Sequence, residues 1–244
     1  MFAALVWAVG TTVAVLVGPI ALSWWLAPVA AAAAAQATRT WNRRPRSTPY
    51  GRALPAAAFV GAGFTVLCAA FGVAALVAGA VLATVFTAAW ATTAATRDAG
   101  DEASGVDVML TVLCAAVPAA AAVAPVELRA HGLVAALVLV TYALVFDVAA
   151  WVVGSGSRHR WIGPLAGMVC IASITVGIGS IFPQFHGDSA LKLGVLAAVL
   201  APIGPAAATL LLGDRRKRVP ALRRLDVLVV LGPVWAIAAA ALHV

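Results

Sequence analysis

Two carboxylates carry most of the chemistry that can be read from this chain. Asp147 lies inside an apolar run in VFDVAAWVVGSGSRHRWIGPLAG, residues 145–167, and Asp226 follows the basic stretch in LRRLDVLVVLGPVW. An ionised carboxylate about six residues, or roughly 9 Å, inside a helical span is costly unless it meets a cation, a metal or water. Carboxylate oxygens suit magnesium, so Asp147 and Asp226 together are a candidate metal pair. Arg158, Arg160 and Arg224 stand close in sequence and are candidate phosphate ligands, because the guanidinium fork binds phosphate bidentately. Each group also has a structural reading. Asp147 can pair with Arg158 or Arg160, Asp226 can cap the helix it opens, and DRRKRVPALRR can be an anchor against anionic lipid.

The other constellations are less specific. GSGSRHR, residues 154–160, offers backbone N–H groups to a phosphate but contains no Walker sequence, so it reads as a hairpin loop. HGDSALK, residues 186–192, has serine and lysine at Ser-x-x-Lys spacing, yet His186, Asp188 and Ser189 are too close in sequence for a hydrolase triad. Cys68, Cys114 and Cys170 each sit among apolar neighbours with no ligand spacing, which predicts small buried hydrophobes.

The elements that position these residues follow from composition. Hydrophobic residues make up 64% of the 244 and charged residues 10%, with a mean hydropathy of +1.03, whereas soluble domains run at about 45–50% and 25%. Apolar blocks of about 20 residues match a helix crossing about 30 Å of hydrocarbon. The expected fold is all-α, a polytopic transmembrane helical bundle in a single integral-membrane domain over 1–244, with N-terminal spans in 1–131 and a second half in 132–244. Spans are predicted near 2–24, 55–74, 76–96, 107–124, 132–153, 162–182, 191–213 and 226–243, which makes eight. Apolar residues continue to Ala35, and a break at Pro19 would make nine. In APIGPAAATLLL, Pro202, Gly204 and Pro205 predict a loosened seventh span that packs inside the bundle.

Fourteen of the 16 lysines and arginines fall in the loops 38–54, 97–106, 154–161 and 214–225, leaving Arg129 and Lys192 opposite. By the positive-inside rule those arginine-rich loops face the cytoplasm. A net charge of +7 beside membrane spans points to anionic lipid headgroups as partners rather than nucleic acid. The first block is too long for a cleaved signal and precedes any cation, so it is expected to remain as an anchor. Tryptophans such as Trp24, Trp25, Trp41, Trp90 and Trp161 are expected near interfaces. The bias toward Ala, Val, Gly and Arg suggests a multi-pass protein of a bacterial plasma (inner) membrane. The oligomeric state is left open, a homodimer included.

Across residues 132–244 the order of features resembles the phosphatidate cytidylyltransferase (CDP-diglyceride synthase) family. Asp147, Ala150, Trp151 and Gly154 match its D-x-x-A-[YW]-x-x-G segment; Leu222 and Asp226 match the ends of L-D-R-x-D, with Arg224 as its arginine; Gly204 matches the glycine of I-G-D, and Thr209 stands where that segment has a serine. The resemblance implies a polytopic enzyme that makes a nucleotide-linked lipid from CTP and phosphatidic acid with magnesium, held here by Asp147 and Asp226. Several family residues are replaced. Pro205 stands in place of a metal-binding Asp, Ala208 in place of an acidic residue and Arg223 in place of the first Asp of L-D-R-x-D, while WIGPLAGMVC replaces S-P-K-K-T-x-E-G. Three readings follow: a lipid nucleotidyltransferase, a non-catalytic scaffold or lipid-binding relative that lost the metal site, and a small transporter using Asp147.

Overall fold

A computed structural model describes residues 2–42, 53–99, 105–157, 159, 161–185, 187–212 and 219–242. Arg158 and Arg160, with the loop cations Arg43, Arg44, Arg46, Arg52, Arg215, Arg216, Lys217 and Arg218, lie outside the described residues. The helices in order are α1 (Phe2–Val17), α2 (Pro19–Asn42), α3 (Pro55–Ala69), α4 (Val73–Ala99), α5 (Gly105–His131), α6 (Leu133–Gly154), α7 (Ile162–Ile181), α8 (Gly187–Leu200), α9 (Ile203–Leu212), α10 (Pro220–Arg223) and α11 (Asp226–Ala241), with a 3-10 turn at Pro183–Phe185 before α8. Among the described residues, six segments are long and apolar enough to cross a membrane, namely Pro19–Asn42, Val73–Thr93, Gly105–His131, Leu133–Gly154, Ile162–Ile181 and Asp188–Thr209, and Ala4–Val17, Pro55–Ala69 and Asp226–Ala241 are shorter apolar helices. The protein is a polytopic helical membrane bundle.

The first apolar block is two helices that part at Gly18 and Pro19, the break that the sequence offered as the alternative to a single span over 2–24. Gly18 adopts φ +150°, a backbone region closed to most side chains, and Pro19 starts α2 with no N–H to offer. In a continuous helix residue 19 would donate to the Val15 carbonyl. Instead the Nε of Arg129, near the end of α5, donates to Val15 O at 2.5 Å. Val15 is fully buried. Arg129, expected as a loop cation, therefore satisfies a carbonyl orphaned by the break and ties the α1–α2 elbow to α5. Trp25 stacks on Trp7 at 6.1 Å and donates to Thr11 Oγ1 at 3.1 Å, so it braces this elbow rather than only marking an interface.

Alanine dominates the α2–α3–α5 contact. Ala30, Ala33, Ala34, Ala57, Ala58, Ala121 and Ala122 are fully buried, which lets backbones approach where lipid offers no hydrophobic drive for association. Pro125 leaves the Ala121 carbonyl without its helical donor, and Gly232 of α11 packs beside Ala121 and Ala124 there. In the second half, larger side chains fill the centre. Tyr142 of α6 shares a 3.0 Å hydrogen bond with Thr175 of α7, Trp235 of α11 meets the Tyr142 ring edge-on at 6.3 Å, and Phe185 stacks on Trp235 at 6.3 Å.

One end of the bundle collects the starts and ends that flank the arginine-rich loops. Asn42 closes the α2–α3 connection by donating to Ala53 O at 2.7 Å and accepting from Ala53 N at 2.9 Å. Leu54 N donates to Thr111 Oγ1 on α5 at 2.9 Å, and Ala221 N donates to Gln36 Oε1 on α2 at 3.1 Å. Arg129→Met should destabilise the fold by about 1–3 kcal/mol, because it leaves a buried carbonyl unpaired. Arg129→Lys should recover part of that loss. Thermal unfolding in detergent checks both, and a wild-type melting temperature for Arg129→Met would contradict the assignment.

Candidate functional site at the basic end

The seventh span breaks where the prolines predict. α8 ends at Leu200, Ala201 and Pro202 form a turn, and α9 restarts at Ile203. Ala201 and Gly204 are buried. A Cβ on Gly204 would collide with the backbone carbonyl of Asp226. The glycine at this position therefore lets α9 lie directly against the start of α11, bringing the broken span to the Asp226 corner.

That corner is firmly seated. Val219 and Leu225 are fully buried and Asp226 is 2% exposed, Arg223 is exposed and Arg224 half-buried. Leu225, not Asp226, occupies the N-cap of α11, so the expected capping role becomes a first-turn role, where the helix dipole favours a carboxylate. Asp226 takes part in a polar interaction, as does Asp147. Thr209 Oγ1 donates to Pro205 O at 2.7 Å within its own helix.

Asp147 is half-buried on α6. Its neighbours in DVAAWVVG have a packing role against α7: a Cβ on Gly163 would lie 2.6 Å from the Ala150 carbonyl and 3.3 Å from Gly154 Cα, and one on Gly167 would lie 2.5 Å from the Phe146 ring. Gly154 and Gly163 are thus small because α6 and α7 approach closely. Trp151 points outward and is 51% exposed. One α6 position that meets α11 is Tyr142, through Trp235. At about 100° per residue, Asp147 lies about 140° around the helix from Tyr142. From the Tyr142–Trp235 contact, Asp147 is about 7.5 Å and Asp226 about 13.5 Å toward the basic end. The bundle thus gathers Asp147, Asp226 and Arg224 toward one end, while helical register puts Asp147 on a different face of α6 from Tyr142. Among the described residues no three His, Cys, Asp or Glu side chains cluster as metal ligands.

The remaining sequence candidates are simpler. Cys68, Cys114 and Cys170 are free thiols as expected, but half-buried rather than fully enclosed. Asp188 and Lys192 form an exposed i,i+4 ion pair at 3.9 Å, the kind that contributes little, and His186 lies outside the described residues. Sequence reading passed over Glu127, whose carboxylate oxygens are both buried with no hydrogen-bond partner. Its signal was present as a lone acid in the apolar stretch APVELRAH.

No protein-family model matches the chain, and no curated protein or solved structure matches it. The resemblance to CDP-diglyceride synthases thus rests on the residues quoted for it. Gly204→Ala should destabilise the protein by about 1–3 kcal/mol, since the methyl group meets backbone that cannot yield. Gly63→Ala, whose added Cβ would meet Ala31 at 3.4 Å, should be close to neutral. Melting curves of the two variants check the contrast, and equal stability would contradict the close α9–α11 approach.

Proposed function

We propose that this membrane protein binds anionic phospholipid at its arginine-rich end, keeping a CDP-diglyceride synthase-like helical framework without a magnesium-dependent centre. The observation that carries this reading is the seated corner from Val219 to Asp226, which displays Arg223 and Arg224 from buried neighbours and a backbone bond to Gln36. Cations held on a rigid corner lose little freedom when they meet a phosphate, and arginine matches its geometry. By the positive-inside rule this end faces the cytoplasm, in a bacterial plasma membrane. Arg158 and Arg160, which lie outside the described residues, are the further phosphate ligands that the sequence suggests.

The catalytic alternative needs Asp147 and Asp226 to share magnesium, which would neutralise charge on CTP and phosphatidic acid during transfer. The different faces and heights of the two carboxylates speak against a shared ion, as does Pro205 at the family's acidic position. The test takes the protein into nanodiscs of phosphatidic acid, phosphatidylglycerol and phosphatidylcholine and reads retained lipid by native mass spectrometry. Wild type should retain the anionic lipids, and the double variant Arg223→Ala, Arg224→Ala should lose them by roughly tenfold or more, given about 1 kcal/mol per surface cation. Equal retention of all three lipids would overturn the reading. So would CDP-lipid formed from CTP and phosphatidic acid with magnesium and lost in Asp147→Ala, which would establish the enzyme.

A further inference from the structure

Along α2, Val29, Ala32, Gln36 and Arg39 follow one another at i, i+3, i+7 and i+10, a stripe left outside the buried alanine face. α10 packs on α2, and Gln36 fastens it there by accepting from Ala221 N at 3.1 Å. A backbone N–H needs an acceptor, so this bond decides which way the amide lies. The Oε1 faces Ala221, and the Nε2 donor is turned away from it. Among the described residues that Nε2 has no acceptor.

Cations from two helices flank this donor. Arg39 lies one turn beyond Gln36, at about 5–6 Å between Cβ atoms. It is exposed in the last turn of α2, where the helix dipole favours a cation. On α10, Arg224 follows Ala221 by one turn, about 4.5 Å along the helix, with Arg223 just before it. None of the three guanidiniums is paired with a carboxylate among the described residues. Asp226, the nearest acid in sequence, is 2% exposed and already engaged. Three like charges on two fastened helices repel one another, and an anion with several acceptor oxygens relieves that repulsion.

We infer that the α2–α10 junction is a single phosphate site, in which Gln36 Nε2 and Arg39 hold oxygens from the α2 side and Arg223 and Arg224 hold them from the α10 side. The site rests on the lipid-binding reading and extends it to α2, so that the phosphate links the two helices. Its occupant is a phosphate group, carried by a lipid headgroup or free in solution.

The test uses the full chain with isotopically labelled nitrogen in its two glutamine side chains, Gln36 and Gln184, in phosphatidylglycerol bilayers. Solid-state NMR reads the dephasing of each side-chain nitrogen by phosphorus. Gln36 should be dephased and Gln184, half-buried in the turn between α7 and α8, should not. Gln36→Glu, which keeps an acceptor for Ala221 N, assigns the signal by its loss. Arg39→Ala should abolish the dephasing and lower lipid retention about fivefold, the worth of one cation at an anionic surface. Bilayers of dioleoylglycerol succinate, which carry no phosphorus, separate the sources: dephasing restored there by inorganic phosphate supports a free phosphate as occupant, and dephasing seen only with phosphatidylglycerol supports the headgroup. Gln36 dephased no more than Gln184 in every bilayer, or dephasing that survives Arg39→Ala, would overturn the site. In that event, lipid lost by the double variant Arg223→Ala, Arg224→Ala leaves the lipid-binding reading standing, whereas lipid kept by it marks the failure of that reading.

Discussion

In hydrocarbon every backbone N–H and C=O must find its partner inside the protein, and that requirement bears hardest on the breaks in this bundle. The α1–α2 elbow is the clearest case. Gly18 and Pro19 end one helix and start another, and the Val15 carbonyl that loses its donor is taken by Arg129 from 114 residues away. That contact ties the α1–α2 elbow to α5 and removes a cation from the sparsely charged end.

Close approach between backbones is the second constraint, and it explains why small residues stand where they do. Gly204 admits the Asp226 carbonyl, Gly163 admits Ala150, and Gly61 admits Thr87. Between lipid-embedded helices such contacts supply the dispersion and specificity that water would otherwise drive through burial. They also reassign part of the resemblance to CDP-diglyceride synthases. Gly154 and Gly204 are accounted for by helix packing. Asp147, Asp226 and Arg224 remain as the residues whose chemistry goes beyond packing.

Much of the architecture was legible in the sequence because hydropathy reports the solvent directly. The helical bundle and the weak point at Pro202 to Pro205 follow from composition and proline chemistry. The facing of each helix was not legible. In soluble proteins a polar face marks the outside, but here both lipid and core are apolar, so α6 shows no stripe to tell that Asp147 turns away from Tyr142. Glu127 and Arg129 were hidden for a related reason. Close to a span end they read as loop charges, and only the fold shows one bound to a distant carbonyl and the other enclosed. The end of α3 at Ala69 was set by Gly72 at φ +94°, a conformational signal that apolar block length does not carry.

The account depends most on the separation of Asp147 from Asp226, because a shared cation would restore the chemistry that the register argues against. Manganese reports such a site by electron paramagnetic resonance when it replaces magnesium. The protein in nanodiscs, titrated with manganese, is predicted to give no bound signal that depends on both Asp147 and Asp226. A bound-manganese spectrum abolished by Asp147→Asn and equally by Asp226→Asn would contradict the account and place the two carboxylates on one ion.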